Sequence, residues 1–207
     1  MHIVARPPSV PSPAIAPGSP YLLATAHRRE SWGEPIRAIA LGLRDVLRKR
    51  PGLFLVFATH PNPRARRPVE ETLGAEPRAI VVDALPYDHF LSLLRGSILA
   101  ITDSGGVQEE GPTLGVPVLV TRAITERPEG VSAGAVRIVG TSRTVIRREV
   151  GHLLDDGAEL AKMAAAGRRV YGDGRSAARI VDALVNDLGS REVPAGRRSE
   201  VSTRRGR

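Results

Sequence analysis

Thr102-Asp-Ser-Gly-Gly-Val-Gln-Glu-Glu-Gly-Pro112 decides how the rest of the chain reads. It follows a short apolar run, Ser97-Ile-Leu-Ala-Ile101, which has the character of a buried strand. Helix-forming residues then run from Val107 to Leu114, until Gly115 and Pro117 stop them. The predicted order is strand, Ser-Gly-Gly turn, helix. Gly105 and Gly106 let the backbone approach a ligand closely and take turn geometries that a Cβ forbids. The helix start offers unpaired N–H groups and a positive dipole end, which suit a phosphate, and Ser104 adds a hydroxyl. Glu110 falls about one turn further in, where its carboxylate can accept hydrogen bonds from a ribose diol. The plainer alternative is a tight turn followed by two glutamates, Glu109 and Glu110, that complement the helix dipole.

Working outward, apolar runs recur on both sides. Tyr21–Thr25, Leu53–Ala58, Ala79–Asp83, Val118–Thr121 and Val136–Val139 join residues 97–101 as six predicted strands. Between them lie helical patterns. Pro35 suits a first helical turn, and Ile36, Ile39, Ala40, Leu43, Val46 and Leu47 recur at spacings of three and four. Shorter helices are expected over Pro68–Leu73 and Tyr87–Leu94, and further ones over Thr144–Leu154, Ala158–Ala166 and Ser176–Leu188. Thr59–Pro63 and Arg122–Gly134 read as loops, and Tyr171-Gly-Asp-Gly174 as a turn. Strands without polar alternation, spaced by helices, predict an α/β doubly wound parallel sheet.

In such a sheet, ligands sit at the carboxyl ends of the strands. Those ends carry His27 to Glu30, His60, Asp83 to Pro86, Asp103 to Gly106 and Arg122 to Arg127. The residues suited to chemistry therefore gather on one edge, as expected for a nucleotide-like ligand. His27 can contact phosphates or shuttle a proton, or simply cap a strand end. Arg28 and Arg29 can clamp an anion bidentately. His60 is held between prolines in Thr-His-Pro-Asn-Pro. Arg127 can neutralise a diphosphate or pair with its neighbouring glutamates. His27, His60, His89 and His152 fall on separate elements without i,i+4 partners, so no metal site is predicted.

Composition narrows the function classes. There are no cysteines, which excludes disulfides, thiolate metal sites and cysteine nucleophiles. No apolar run is long enough to span a membrane, and the N-terminus has no continuous apolar stretch of a secretory signal, so a cytoplasmic protein is expected. The net charge of +8 invites a nucleic-acid reading. Its distribution argues against one: residues 191–207 hold six arginines and two glutamates, and residues 1–20 hold one arginine and no acid, which leaves only +3 for residues 21–190. Residues 1–20 contain six prolines and are expected to be a disordered lead-in. Residues 189–207 are expected to be a disordered basic tail, so the domain spans residues 21–188.

Five motifs, taken together, carry a resemblance. Thr25-Ala-His-Arg-Arg-Glu-Ser, His60-Pro-Asn-Pro, the Thr102–Pro112 stretch, Thr125-Glu-Arg-Pro-Glu and Tyr171-Gly-Asp-Gly resemble, in order and spacing, those of the non-hydrolysing UDP-N-acetylglucosamine (UDP-GlcNAc) 2-epimerases. The resemblance implies a Rossmann-like domain, the C-terminal, UDP-binding half of a GT-B fold. It implies conversion of UDP-GlcNAc to UDP-ManNAc by elimination and re-addition of UDP, in the service of cell-envelope polysaccharides, with no cofactor and no metal. Carried over by motif, Ser104, Gly105 and Gly106 are expected at the diphosphate, Glu110 at the ribose, Leu85 and Phe90 beside the uracil, and Arg127 at the nucleotide. His27 is expected to assist UDP departure. Arg28, Glu30 and His60 match positions associated with a second, activating UDP-GlcNAc.

The acidic residues that handle the C2 proton belong to the family's N-terminal domain and lie outside these 207 residues. This chain is therefore expected to bind UDP without turning over alone, to need a separate N-terminal domain chain, and to form a homodimer if complete. The rival readings are a GT-B glycosyltransferase domain, and a non-enzymatic protein that binds nucleotide sugars or, through its tail, a polyanion.

Overall fold

A computed structural model describes residues 15–16 and 18–190; the two terminal segments expected to be disordered lie largely outside them. The chain divides into two compact units, one running through Tyr171 and one beginning at Gly172. The second contributes one described helix, α8 (Ser176–Ser190). Its residues Ile180, Val181, Leu184, Val185 and Leu188 are exposed, and Asp173 accepts from the Arg175 N–H and pairs with Arg179 at the turn before it.

The first unit is built on six strands: β1 (Tyr21–Ala26), β2 (Phe54–Thr59), β3 (Ala79–Val82), β4 (Leu99–Thr102), β5 (Val118–Val120) and β6 (Val136–Ile138). All pair in parallel, in the order β3-β2-β1-β4-β5-β6. This is the doubly wound order in which the chain reverses direction across the sheet between β1 and β4. The helices are α1 (Glu34–Lys49), α2 (Pro63–Leu73), α3 (Tyr87–Gly96), α4 (Gly105–Thr113), α5 (Pro128–Ser132), α6 (Arg143–Asp155) and α7 (Gly157–Gly167).

The pleat explains the layering. Successive strand residues point to opposite faces. Leu22, Ala24, Leu55 and Phe57 meet Ile36, Leu43, Val69 and Ile146 of α1, α2 and α6 on one face. Leu23, Val56, Ala100 and Val118 meet Leu91, Leu94 and Val107 of α3 and α4 on the other. A strand covered on both sides has no use for polar alternation, which is why the strands read as continuous apolar runs. The six apolar positions predicted for α1 are all buried.

Three segments depart from the sequence reading. The helix expected from Pro68 begins five residues earlier, at Pro63. The Asn62 side chain accepts from the Arg64 N–H at 2.9 Å, and Pro63, which has no N–H to lose, fills the first turn. Pro68 therefore lies inside the helix. The loop 122–134 contains α5, again opened by a proline, Pro128. Third, α4 starts at Gly105, so the Gly-Gly pair is the first helical turn and neither glycine has a positive φ. Gly115, with φ of 77°, ends α4 as predicted. Pro112 of α4 and Gly167 of α7 lie so close that a Cβ at Gly167 would stand 2.6 Å from the Pro112 Cα.

Candidate functional site

The strand order brings the loop after β1 beside the loop after β4, at the point where a doubly wound sheet opens a crevice. Thr25 and Thr102 are register partners there, and their hydroxyls share a 2.8 Å hydrogen bond in the buried floor. Thr102 also accepts from the Ser104 N–H at 2.9 Å, which turns the chain into α4.

Above this floor, Asp103 ties the two loops together. It is fully buried. Its carboxylate oxygens both accept from the His27 N–H at 3.0 Å, and one accepts from the Arg28 N–H at 2.9 Å. The Asp103 carbonyl accepts from Arg28 Nε at 3.2 Å. A buried carboxylate is tolerable because backbone donors satisfy it. The same anion raises the pKa of His27, but burial dominates and the imidazole titrates below its usual value; nearby His60 lowers it further. His27 therefore favours the neutral form at pH 7, able to take up a proton.

His60 packs its ring against those of His27 and Trp32, with centroids 6.2 Å and 5.5 Å apart. Its Nδ1 accepts from the Asn62 N–H at 3.0 Å. Trp32 donates its indole N–H to the His27 carbonyl at 3.2 Å. Arg28 and Glu30 lead elsewhere. Arg28 pairs with Glu126 at 3.1 Å, Glu126 with Arg122 at 3.2 Å, and Arg122 with Glu30 at 3.7 Å. Of the three residues grouped by resemblance as an effector site, Arg28 and Glu30 thus join through ion pairs, while His60 joins the rings beside His27.

A cavity of about 280 Å³ opens at this edge. Its lining includes His27, Leu85, Phe90, Ser104, Gly106 and Glu110, so six of the predicted site residues converge. Ser104 is the N-cap of α4, and its hydroxyl caps no helical N–H. The open amide end of α4 borders a cavity with an apolar wall of Leu85 and Phe90 and a carboxylate at Glu110. That combination accepts an anion, a flat apolar ring and a hydroxyl donor.

Arg127 occupies a different position. It is not part of the cavity wall; its guanidinium forms its ion pair with Glu109 on α4 rather than with the carboxylate of Glu126 or Glu129, and donates to the Glu126 backbone carbonyl at 3.1 Å. Thr125 fixes that loop by donating to Gln108 and accepting from the Arg127 N–H at 3.0 Å. Gln108 in turn donates to the Ser104 carbonyl at 3.1 Å. The motif Thr125-Glu-Arg is thereby clipped to α4, with Arg127 at its rim.

Two contributors have no role assigned to them from the sequence. Asp103 lies inside the decisive motif, but nothing in a linear sequence pairs it with backbone groups 76 and 75 residues away. Tyr87, at the start of α3, donates to Glu110 Oε1 at 2.9 Å. A three-residue periodicity with Phe90 was the available signal. The expectation that His152 has no i,i+4 partner is corrected: Asp156 is that partner, and His152 Nε2 lies 2.6 Å from Glu159 Oε2. The three stand together because Asp156 caps α7, accepting from the Glu159 N–H at 2.9 Å. Among the described residues no helix is long and apolar enough to cross a membrane.

Comparison with known proteins gives the family. The family model described as UDP-N-acetylglucosamine 2-epimerase matches residues 5–185. The UDP-N-acetylglucosamine 2-epimerase of Escherichia coli K12 is 43% identical over 175 residues, which is 84% of this chain and 46% of that protein. The crystal structure of a UDP-GlcNAc 2-epimerase from Neisseria meningitidis bound to UDP-GlcNAc superposes with a TM-score of 0.79 at 37% identity, over 83% of this chain and 46% of that one. The C-terminal domain of a group 1 glycosyl transferase from Francisella tularensis, covering 72% of this chain and 83% of its own, shares the fold alone, at 18% identity and a TM-score of 0.62. The chain spans about half the length of the curated relatives it matches, and it belongs to the UDP-N-acetylglucosamine 2-epimerase family.

Proposed function

We propose that this chain is the nucleotide-binding half of a UDP-GlcNAc 2-epimerase, which interconverts UDP-GlcNAc and UDP-ManNAc. The observation that carries the reading is the cavity at the reversal of the sheet, where the open amide end of α4, the Leu85–Phe90 wall and the Glu110 carboxylate converge. In this reading the diphosphate rests on Ser104, Gly105 and Gly106, where backbone N–H groups and the helix dipole balance its charge. Glu110 takes the ribose hydroxyls, and uracil lies against Leu85 and Phe90. Arg127 is reached by the nucleotide when it leaves Glu109. His27, held over the cavity by Asp103, assists by donating a ring N–H hydrogen bond to the departing UDP oxygen, and again to UDP when it returns with C2 inverted. Arg28, Glu30 and His60 are proposed to meet a second UDP-GlcNAc.

Abstraction of the C2 proton needs a carboxylate base on the opposite side of the cleft, proposed to come from an N-terminal domain, with the complete protein a homodimer in the cytoplasm. The expected result for these 207 residues alone is binding without turnover. Incubation with UDP-GlcNAc in D₂O, followed by proton NMR, should show neither UDP-ManNAc nor deuterium at C2. Either product from the purified chain would overturn the half-site reading. Transfer of GlcNAc to an acceptor sugar would favour a glycosyltransferase instead.

A further inference from the structure

We propose that Tyr87 is a specificity-determining residue of the nucleotide site, orienting Glu110 so that the pocket selects a ribose over a 2′-deoxyribose; this rests on the UDP-binding reading above. The argument begins with where Tyr87 stands. It is the first residue of α3, placed there by Pro86, and it lines the same cavity as Phe90 one turn on. More than half of its surface is exposed, so the core does not hold it in place. Its phenol reaches from α3 to α4, donating to Glu110 Oε1 at 2.9 Å across the cavity.

The half-buried Glu110 side chain has three rotatable bonds, and among the described residues no ion pair holds it in one rotamer. The Tyr87 hydrogen bond does. A carboxylate can accept about four hydrogen bonds, so one phenol leaves about three lone pairs for a ligand. A vicinal diol fills two of these by donating two O–H hydrogen bonds from one rigid edge, which a single hydroxyl cannot do. Fixing the carboxylate beforehand removes the ordering cost that the diol would otherwise meet on binding. Hydrogen bonding to Glu110, helped by slight burial and by the carboxylate's charge, also raises the Tyr87 phenol above its ordinary value.

The test uses UDP and 2′-deoxy-UDP with wild type, Tyr87→Phe and Glu110→Gln, measured by calorimetric titration. Tyr87→Phe keeps the ring and removes only the donor. A lost hydrogen bond to a charged group corresponds to about a tenfold loss. Tyr87→Phe should therefore weaken UDP about tenfold and 2′-deoxy-UDP less than about twofold, with the melting temperature unchanged. Glu110→Gln should lose the same discrimination, and the double variant should lose no more than Glu110→Gln alone. In the ligand-free protein, the Tyr87 phenol should titrate lower in Glu110→Gln. Equal weakening of both nucleotides, or no weakening of either, would overturn the inference while leaving the UDP site standing. A folded wild type that binds neither nucleotide would overturn the site reading, and the inference with it.

Discussion

Asp103→Asn is expected to lose about 2–4 kcal/mol of stability, lowering the melting temperature by roughly 5–15 °C, and to weaken UDP binding at least about tenfold. Few isosteric changes cost so much, and the reason is local. The Asp103 carboxylate accepts from two backbone N–H groups of the neighbouring loop, and it is fully buried, so water cannot replace either bond. An asparagine can keep the oxygen that accepts both N–H groups, but its NH₂ then points at the His27 N–H, which the second carboxylate oxygen also accepts. Two donors then face each other in the interior, and the cost is that of leaving a buried polar group unmade. The binding loss follows because these bonds hold His27 and Arg28 against the start of α4. Losing the anion also removes the influence that raises the His27 pKa, so the imidazole should titrate lower still in the variant. Thermal unfolding, UDP calorimetry and a histidine NMR titration check the three parts. An unchanged melting temperature together with unchanged affinity would mean that Asp103 does not hold the loops.

Gly106→Ala is expected to do the opposite to stability while weakening UDP binding about ten- to a hundredfold. Gly106 is the second residue of α4, in a conformation open to any L residue. A Cβ there meets only Glu110 Oε1 and Ser104 Oγ, each 3.9 Å away, which is ordinary contact. Alanine also favours the helix over glycine by roughly 0.5–1 kcal/mol. The melting temperature should therefore hold or rise slightly. The methyl, however, stands among the groups expected to surround a diphosphate, where a phosphate oxygen must come within about 3 Å of the backbone N–H groups. One or two charge-assisted hydrogen bonds lost give the stated range. A variant that is less stable and binds UDP normally would show that the glycine serves packing instead.

The two variants separate what the sequence made legible from what it hid. Strands and helices of the sheet could be read because β1 and β2 are continuous apolar runs and α1 carries a period set by burial alone. The start of α2 could not, since Thr59–Pro63 reads as a loop, whereas the Asn62 cap makes Pro63 the first helical residue. The Gly-Gly pair reads as a turn in the sequence, whereas Gly105 opens α4. The lining of the cavity was legible because strand ends gather at one edge of any doubly wound sheet. Which groups touch was not: Arg127 had Glu126 and Glu129 beside it in sequence, yet it pairs with Glu109, brought there by the Gln108–Thr125 clip. Asp103 and the His27 loop meet only through the pairing of β1 with β4, a tertiary fact.

The most direct measurement is a fluorescence titration of the purified chain with UDP, with ADP as the control. Trp32 is the only tryptophan, and it bonds the His27 carbonyl and packs on His60, so it reports on this edge. A saturable change with UDP, much weaker with ADP, is the predicted result, since the proposed function seats uracil against Leu85 and Phe90. A folded chain whose Trp32 emission ignores UDP, or answers ADP equally, would contradict a uridine nucleotide site at the reversal of the sheet.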